Sequence, residues 1–287
     1  MKKVFLIITL FAILYGCKEE GPFINFEEEQ DTLVDTLYIS TTPIQQVNKN
    51  VLFEEFSGVR CSNCPAGNQA THTIYQDKGD RFVPVTVHSD FLAYPYSNTQ
   101  DLRTAEANEI ANSLGPVGQK PAAFISRKVI GSSRLQTSLA NWSSTVDNVL
   151  AENSVLDINL EISEANVSER TIRYRVTLSY SGAASNQNLG FFLTESEIVA
   201  TQLDGSTEIE NYVHEFVLRK AITPIIGSPL PTSIEANTVI IKEFEIDLDN
   251  EDFDPDKIWD INHMHLVAFV RLSNDDIETA IMKNIVE

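Results

Sequence analysis

What the sequence has little of narrows the reading first. Cysteine occurs at three positions only, Cys17, Cys61 and Cys64, in 287 residues, which excludes a disulfide-dense scaffold. Basic residues are scarce as well: 21 Lys and Arg stand against 41 Asp and Glu, a formal net charge of -20. Such a surface repels phosphate backbones and anionic lipid, so nucleic acid is excluded as a partner. Long apolar runs are missing too. The stretch from Val4 to Leu14 falls well short of the roughly 20 residues a transmembrane helix needs. Neither an internal repeat nor a low-complexity tract is present.

That short run has its own grammar. Lys2 and Lys3 precede it and Leu14-Tyr15-Gly16-Cys17 closes it, the charged, apolar and small-residue order of a secretory signal over residues 1–16. The Leu-x-Gly-Cys ending resembles the lipobox of bacterial lipoproteins. That resemblance implies acylation at Cys17, a lipid bilayer as partner and a place in the outer membrane of the cell envelope, where a disulfide can persist. Residues 17–49 carry Glu19, Glu20, Glu27, Glu28, Glu29, Asp31 and Asp35 and read as a solvated acidic tether. Within it, Lys18-Glu19-Glu20 resembles a surface-export signal of Gram-negative surface lipoproteins. Asp31-Thr32-Leu33 and Asp35-Thr36-Leu37 resemble their O-glycosylation sequon.

From Val51 strand and helix patterns alternate. Strands are expected over 51–56, 81–88 and 121–129, and helices over 65–76, 99–114 and 135–152. The last of these carries Leu139, Trp142, Val146 and Leu150 at helical spacing. Past Asn153, period-2 segments separated by Gly, Asn, Asp and Pro take over, at 155–162, 171–181, 189–199, 239–248 and 265–272. The expected class is therefore α/β plus all-β, with an α/β domain over 50–152 and a β-sandwich over 153–287.

The segment that carries chemistry is Phe53-Glu54-Glu55-Phe56-Ser57-Gly58-Val59-Arg60-Cys61-Ser62-Asn63-Cys64-Pro65. An apolar strand runs through a Gly turn into Cys-x-x-Cys, and a proline suited to the first helical position follows. Two cysteines so placed can close a small ring, leaving the first sulfur exposed and the second tucked behind it. The positive end of the helix stabilises a thiolate on Cys61, and Arg60 pushes the same way.

These residues resemble a thioredoxin-like domain. The resemblance implies that Glu55, six residues before Cys61, is a buried acid moving the proton of the resolving Cys64. It also implies that Pro121, in Gly118-Gln119-Lys120-Pro121-Ala122, is a cis-proline lying against the disulfide and docking substrate. Arg60 in place of an aromatic, Ser62-Asn63 between the cysteines, and a longer spacing from Cys64 to Pro121 depart from the thioredoxin pattern. Across most of the chain the Glu-Phe-x-Gly-x-x-Cys-x-x-Cys-Pro start, with a tail that includes Tyr212 to Arg219 and Leu266 to Val270, is similar to the outer membrane protein 28-related lipoproteins. Their implied form is a thioredoxin-like half followed by an immunoglobulin-like β-sandwich.

Two functions from different classes stay open. In one, Cys61 attacks a protein or peptide disulfide, Cys64 resolves it, Glu55 moves the proton and Pro121 docks the substrate. In the other, the disulfide is a staple and the β domain binds a surface ligand; an exposed Cys61 favours the first and a buried pair the second. Neither needs a cofactor or a metal. Zinc on the cysteines would have only His72 and His88 nearby in sequence. Other residues offer chemistry too: Glu54 competes with Glu55 as the buried acid, since adjacent strand residues face opposite sides and one of the two faces solvent; His88 ends a strand near the cysteines if that strand is parallel and central; Tyr94-Pro95-Tyr96 suits groove lining or packing; and His263 with His265 suits a metal pair.

Overall fold

The computed structural model describes residues 33–286 except 98, 251 and 255. The expected signal over 1–16, the lipid site Cys17 and the first half of the tether lie outside the described residues. The rest is mostly β, with three α-helices among the described residues.

Four strands, β1 (Asp35–Ile39), β5 (Leu156–Asn166), β6 (Thr171–Tyr180) and β11 (Thr238–Asp247), make an antiparallel sheet in the order β1-β11-β6-β5. Residues 35–39 therefore do not hang free as tether. Their Thr-Leu-Tyr-Ile run suits a strand, and it pairs with Thr238–Lys242 as an exposed edge.

The larger sheet takes strands from both sides of Asn153. Its path is β13 (Ile277–Asn284), β12 (Met264–Arg271), β7 (Asn188–Glu195), β10 (Val217–Ala221), β3 (Phe82–His88), β2 (Val51–Ser57), β4 (Ala122–Ile125) and the short Leu135–Gln136, with Ser228–Pro229 attached to β7. Parallel pairing joins β2 to β3 and β3 to β10. The sandwich half expected as a separate all-β unit thus supplies five strands, β7, β10, β12, β13 and Ser228–Pro229, to the sheet begun by the α/β half. Period-2 patterning reveals which residues of a strand face a core, but not which strand lies next to it.

Three apolar layers result. Between the two sheets, Tyr174, Val176 and Leu178 of β6 meet Phe191 and Leu193 of β7 and Leu266 of β12. On one face of the large sheet, helix α2 (Ala105–Ser113) lays Ala107 and Ile110 over Leu52, Phe56 and Val85, together with Phe192, Leu218 and Phe269 from the C-terminal half. On the other face, helices α1 (Cys64–Lys78) and α3 (Leu139–Leu150) set Ile74, Trp142 and Val146 against Val51, Phe53 and Ala123. The helix expected over 99–114 begins only at Ala105, capped by the Thr104 hydroxyl, which accepts the Ala107 amide at 2.9 Å.

Strand β2 thus has a helix layer on each side. Alternation sends Glu54 toward the α2 face and Glu55 toward the α1 face.

Candidate functional site

The site sits where β2 ends. At Gly58 a Cβ would lie 2.6 Å from the Leu92 carbonyl oxygen, so only glycine lets the chain pass. Two tight turns follow, with the Cys61 amide donating to Gly58 O at 3.0 Å and the Cys64 amide to Cys61 O at 3.2 Å. Helix α1 then starts at Cys64 with Pro65 in its first turn and no acidic residue there. Cys61 and Cys64 are disulfide-bonded, their Cα atoms 5.4 Å apart.

Pro121 follows a cis peptide bond at Lys120-Pro121 and reaches this helix. A Cβ added to Gly67, one turn into α1, would lie 2.6 Å from Pro121 Cβ and 2.7 Å from Glu55 Oε1. A bare helix face therefore brings the cis-proline and the carboxylate together beneath the disulfide-bearing turn.

Glu55 is fully buried. The Thr71 hydroxyl donates to its Oε2 at 2.5 Å. The Asn68 amide, oriented to suit its neighbours, donates to Glu55 Oε1 at 2.8 Å and to the Cys64 carbonyl at 3.3 Å, and accepts from the Tyr212 hydroxyl at 3.1 Å. Burial pushes the Glu55 carboxyl up to about 8, against a smaller pull downward from Thr71. A pocket of about 130 Å³ between α1 and the C-terminal half is lined by Glu55, Asn68, Thr71, Thr86 and Tyr212.

Glu54, weighed as the alternative acid, is equally buried. The expectation that one of the two faces solvent is corrected, because both faces of β2 are covered by helices. Arg127 donates Nε and a terminal nitrogen to Glu54 at 2.8 and 2.6 Å.

A second correction concerns Cys61, expected to be exposed. It is 5% exposed and Cys64 is 0% exposed. The cover is a hairpin of β8 (Ile198–Asp204) and β9 (Thr207–His214), paired only with each other. Its Leu203 amide donates to Val59 O at 2.8 Å and its Gly205 amide to Ser62 O at 3.0 Å. The fully buried Gln202 donates its side-chain amide to Cys61 O at 3.1 Å and Gly58 O at 3.3 Å. The period-2 reading of 189–199 runs through the break that separates β7 from this hairpin. The signal that marks the hairpin is Gly205-Ser206 between two alternating segments, a two-residue loop with glycine first.

Arg60 is committed elsewhere than Cys61. It donates to the Tyr94 and Pro95 carbonyls, both at 2.8 Å, and lies 4.1 Å from the centre of the Tyr96 ring. His88 ends β3 in parallel register with Ser57 and is fully buried. Its ring centre is 5.4 Å from that of His214 at the end of the hairpin. Burial, then His214, Lys120 and Arg219, hold His88 well below the usual imidazole range; burial takes His214 down to about 4. His263 and His265 part company: His263 lies in the turn Ile261–His263, 3.7 Å from Glu197, and His265 in β12. Among the described residues no group of three or more His, Cys, Asp or Glu side chains is placed to hold a metal ion.

A large mixed sheet carrying a Cys-x-x-Cys disulfide at a helix start, with the C-terminal half built into the same sheet, defines the class. Residues 110–285 match the family described as outer membrane protein Omp28, so the chain belongs to that family of outer-membrane proteins of the cell envelope. HBP35 of Porphyromonas gingivalis has a similar solved fold, with TM-score 0.65 and 16% identity over 83% of this chain and 76% of that one. A protein from Agrobacterium tumefaciens overlaps at TM-score 0.49 and 13% identity over 83% of this chain and 95% of its own. A domain of the outer membrane lipoprotein Omp28 from Porphyromonas gingivalis overlaps at TM-score 0.30 and 12% identity, covering 46% of this chain and 89% of its own. No curated protein matches the sequence.

Proposed function

We propose that this protein is a lipid-anchored thiol-disulfide exchange protein of the outer membrane. In this reading residues 1–16 are a signal, Cys17 carries the anchor, residues 50–152 are a thioredoxin-like unit and residues 153–287 an immunoglobulin-like sandwich. The observation that carries it is Glu55. An acid buried beneath the disulfide turn, with no cation on it among the described residues and its carboxyl pushed up to about 8, exchanges protons at neutral pH. A mere staple has no use for such a group, and a three-residue loop constrains the unfolded chain little.

The chemistry balances without a cofactor. Cys61, as thiolate at the positive end of α1, attacks one sulfur of a substrate disulfide; the Cys61–substrate bond forms and the other substrate sulfur leaves as thiolate. Cys64 gives its proton toward Glu55 and attacks Cys61 Sγ. The Cys61–Cys64 bond forms, the second substrate sulfur departs, and two electrons have passed to the substrate. Reversal of the same steps oxidises a substrate dithiol. Pro121, against the same helix face, docks the substrate backbone.

The low exposure of Cys61 favours a second reading, a surface binding protein with a structural disulfide. Trapping separates the two. Cys64→Ser removes the resolving thiol, so it should accumulate disulfide-linked adducts from envelope extracts on non-reducing gels, whereas Cys61→Ser should not. The exchange reading falls if neither variant traps protein and the pair's potential lies below about −300 mV, the range of structural disulfides.

A further inference from the structure

The hairpin β8–β9 pairs only with itself. It joins neither sheet, and β9 turns most of its residues to solvent. One row of β8 faces inward: Ile198 and Ala200 pack on Val59, Leu102 and Val217 in the smallest of the four apolar clusters, and Gln202 follows them into the turn. A two-stranded hairpin is marginal by itself, and few buried apolar contacts mark a unit that opens without unfolding the rest.

Its ends are built for movement. Glu197 just before β8 and Phe216 just after β9 both hold left-handed backbone, φ 59° and 55°, which non-glycine residues adopt at a cost and which gathers at switch segments. Both ends are tied to the body beside these positions: the Ser196 amide, next to Glu197, donates to His263 O at 3.0 Å, the Phe216 amide to Ser196 Oγ at 3.0 Å and the Thr86 amide to Phe216 O at 2.7 Å. Between these points lie two latches. Gln202 and the Leu203 and Gly205 amides hold the turn that carries Cys61, and Tyr212 holds Asn68, which donates to Glu55.

We propose that this hairpin is a lid over the Cys61–Cys64 disulfide, hinged at Glu197 and Phe216 and latched by Gln202 and Tyr212, so that thiol exchange takes place from an open form. Its use in exchange rests on the function proposed above; the lid itself does not. Closing does two things together. It covers Cys61, and it completes the hydrogen bonds around the Glu55 carboxyl through Tyr212 and Asn68. Tyr212 is therefore a positioning residue for the acid, contributed by the C-terminal half of the chain.

The test is the rate at which a water-soluble phosphine reduces the disulfide in the oxidised full chain. With a lid, the rate levels off at high phosphine, where opening becomes limiting, and lies far below that of the urea-unfolded chain. Gln202→Ala removes the side-chain donor from Gly58 O and Cys61 O and should raise the rate about tenfold; Tyr212→Phe should raise it less and shift the Glu55 titration, which a merely structural tyrosine would not. A wild-type rate equal to that of the unfolded chain, or one unchanged by Gln202→Ala, overturns the lid. Should Gln202→Ala fail to fold, amide hydrogen exchange in the wild type decides. Leu203 and Gly205 should exchange much faster than Phe56 of β2, and exchange at the same rate as Phe56 refutes an independently opening lid. The two proposals fail separately: a lid variant that exposes the disulfide while Cys64→Ser traps nothing removes the exchange function alone, and trapping with no effect of Gln202→Ala removes the lid alone.

Discussion

The two faces of strand β2 bury the same chemical group in opposite ways. Toward α2, Glu54 meets the Arg127 guanidinium in a two-pronged ion pair. Toward α1, one residue further on, Glu55 meets a hydroxyl and an amide and, among the described residues, no cation. Desolvation penalises an ionised carboxylate on either face, but only on the Arg127 side is the charge matched. A buried acid whose charge a cation matches fastens structure. A buried acid without one is driven toward its neutral form and becomes a proton exchanger at neutral pH. The disulfide turn lies on the second face, and that coincidence of an unpaired acid with a redox-capable pair is the basis of the functional reading.

The largest effect should come from breaking the paired side. Arg127→Met leaves Glu54 buried and alone and should cost about 3 to 5 kcal/mol, read as a lowered denaturant midpoint. Thr71→Val on the other face should cost about 1 kcal/mol. If the two variants lose equal stability, the contrast between the faces is wrong.

Next in size is the response to acid, set by histidines whose rings are taken out of water. Burial holds His214 and His265 at about 4 in the folded chain, against an ordinary 6.5, and lowers His88 as well. The unfolded chain takes up these protons below 6.5 while the folded chain does not. Stability is therefore complete above 6.5 and falls as pH drops toward 4, by on the order of 2 kcal/mol per histidine. Thermal melts between pH 4 and 7 check this, and His265→Leu should flatten the slope. A melting temperature independent of pH over that window would show that the burial of these rings does not govern their charge.

Much of this was legible in the residues. The Cys-x-x-Cys turn, the helix it enters and the strand ending at His88 follow from local order, and the burial of Glu55 and the cis bond before Pro121 follow from the resemblance. Which of Glu54 and Glu55 lacks a cation was not legible, because Arg127 lies 73 positions from its partner and nothing local announces it. The burial of Cys61 was hidden for the same reason: Gln202 lies 141 positions away. The shared sheet was hidden as well. A strand such as β10 carries the same apolar pattern whether its neighbour is β7 alone or also β3, and only the folded chain shows Val217 beside Thr86.

Exchange at this site turns on the charge state of one carboxyl, and a direct titration decides it. With glutamate side chains labelled at the carboxyl carbon and the Glu55 signal assigned by its loss in Glu55→Gln, carbon NMR across pH 4 to 9 in the oxidised protein should show Glu55 still protonated at pH 6 and half ionised near 8. A Glu55 signal that moves at the ordinary carboxylate pH, near 4.5, would mean that an ionised acid sits beneath the disulfide, and the unpaired-acid account of the site would be contradicted.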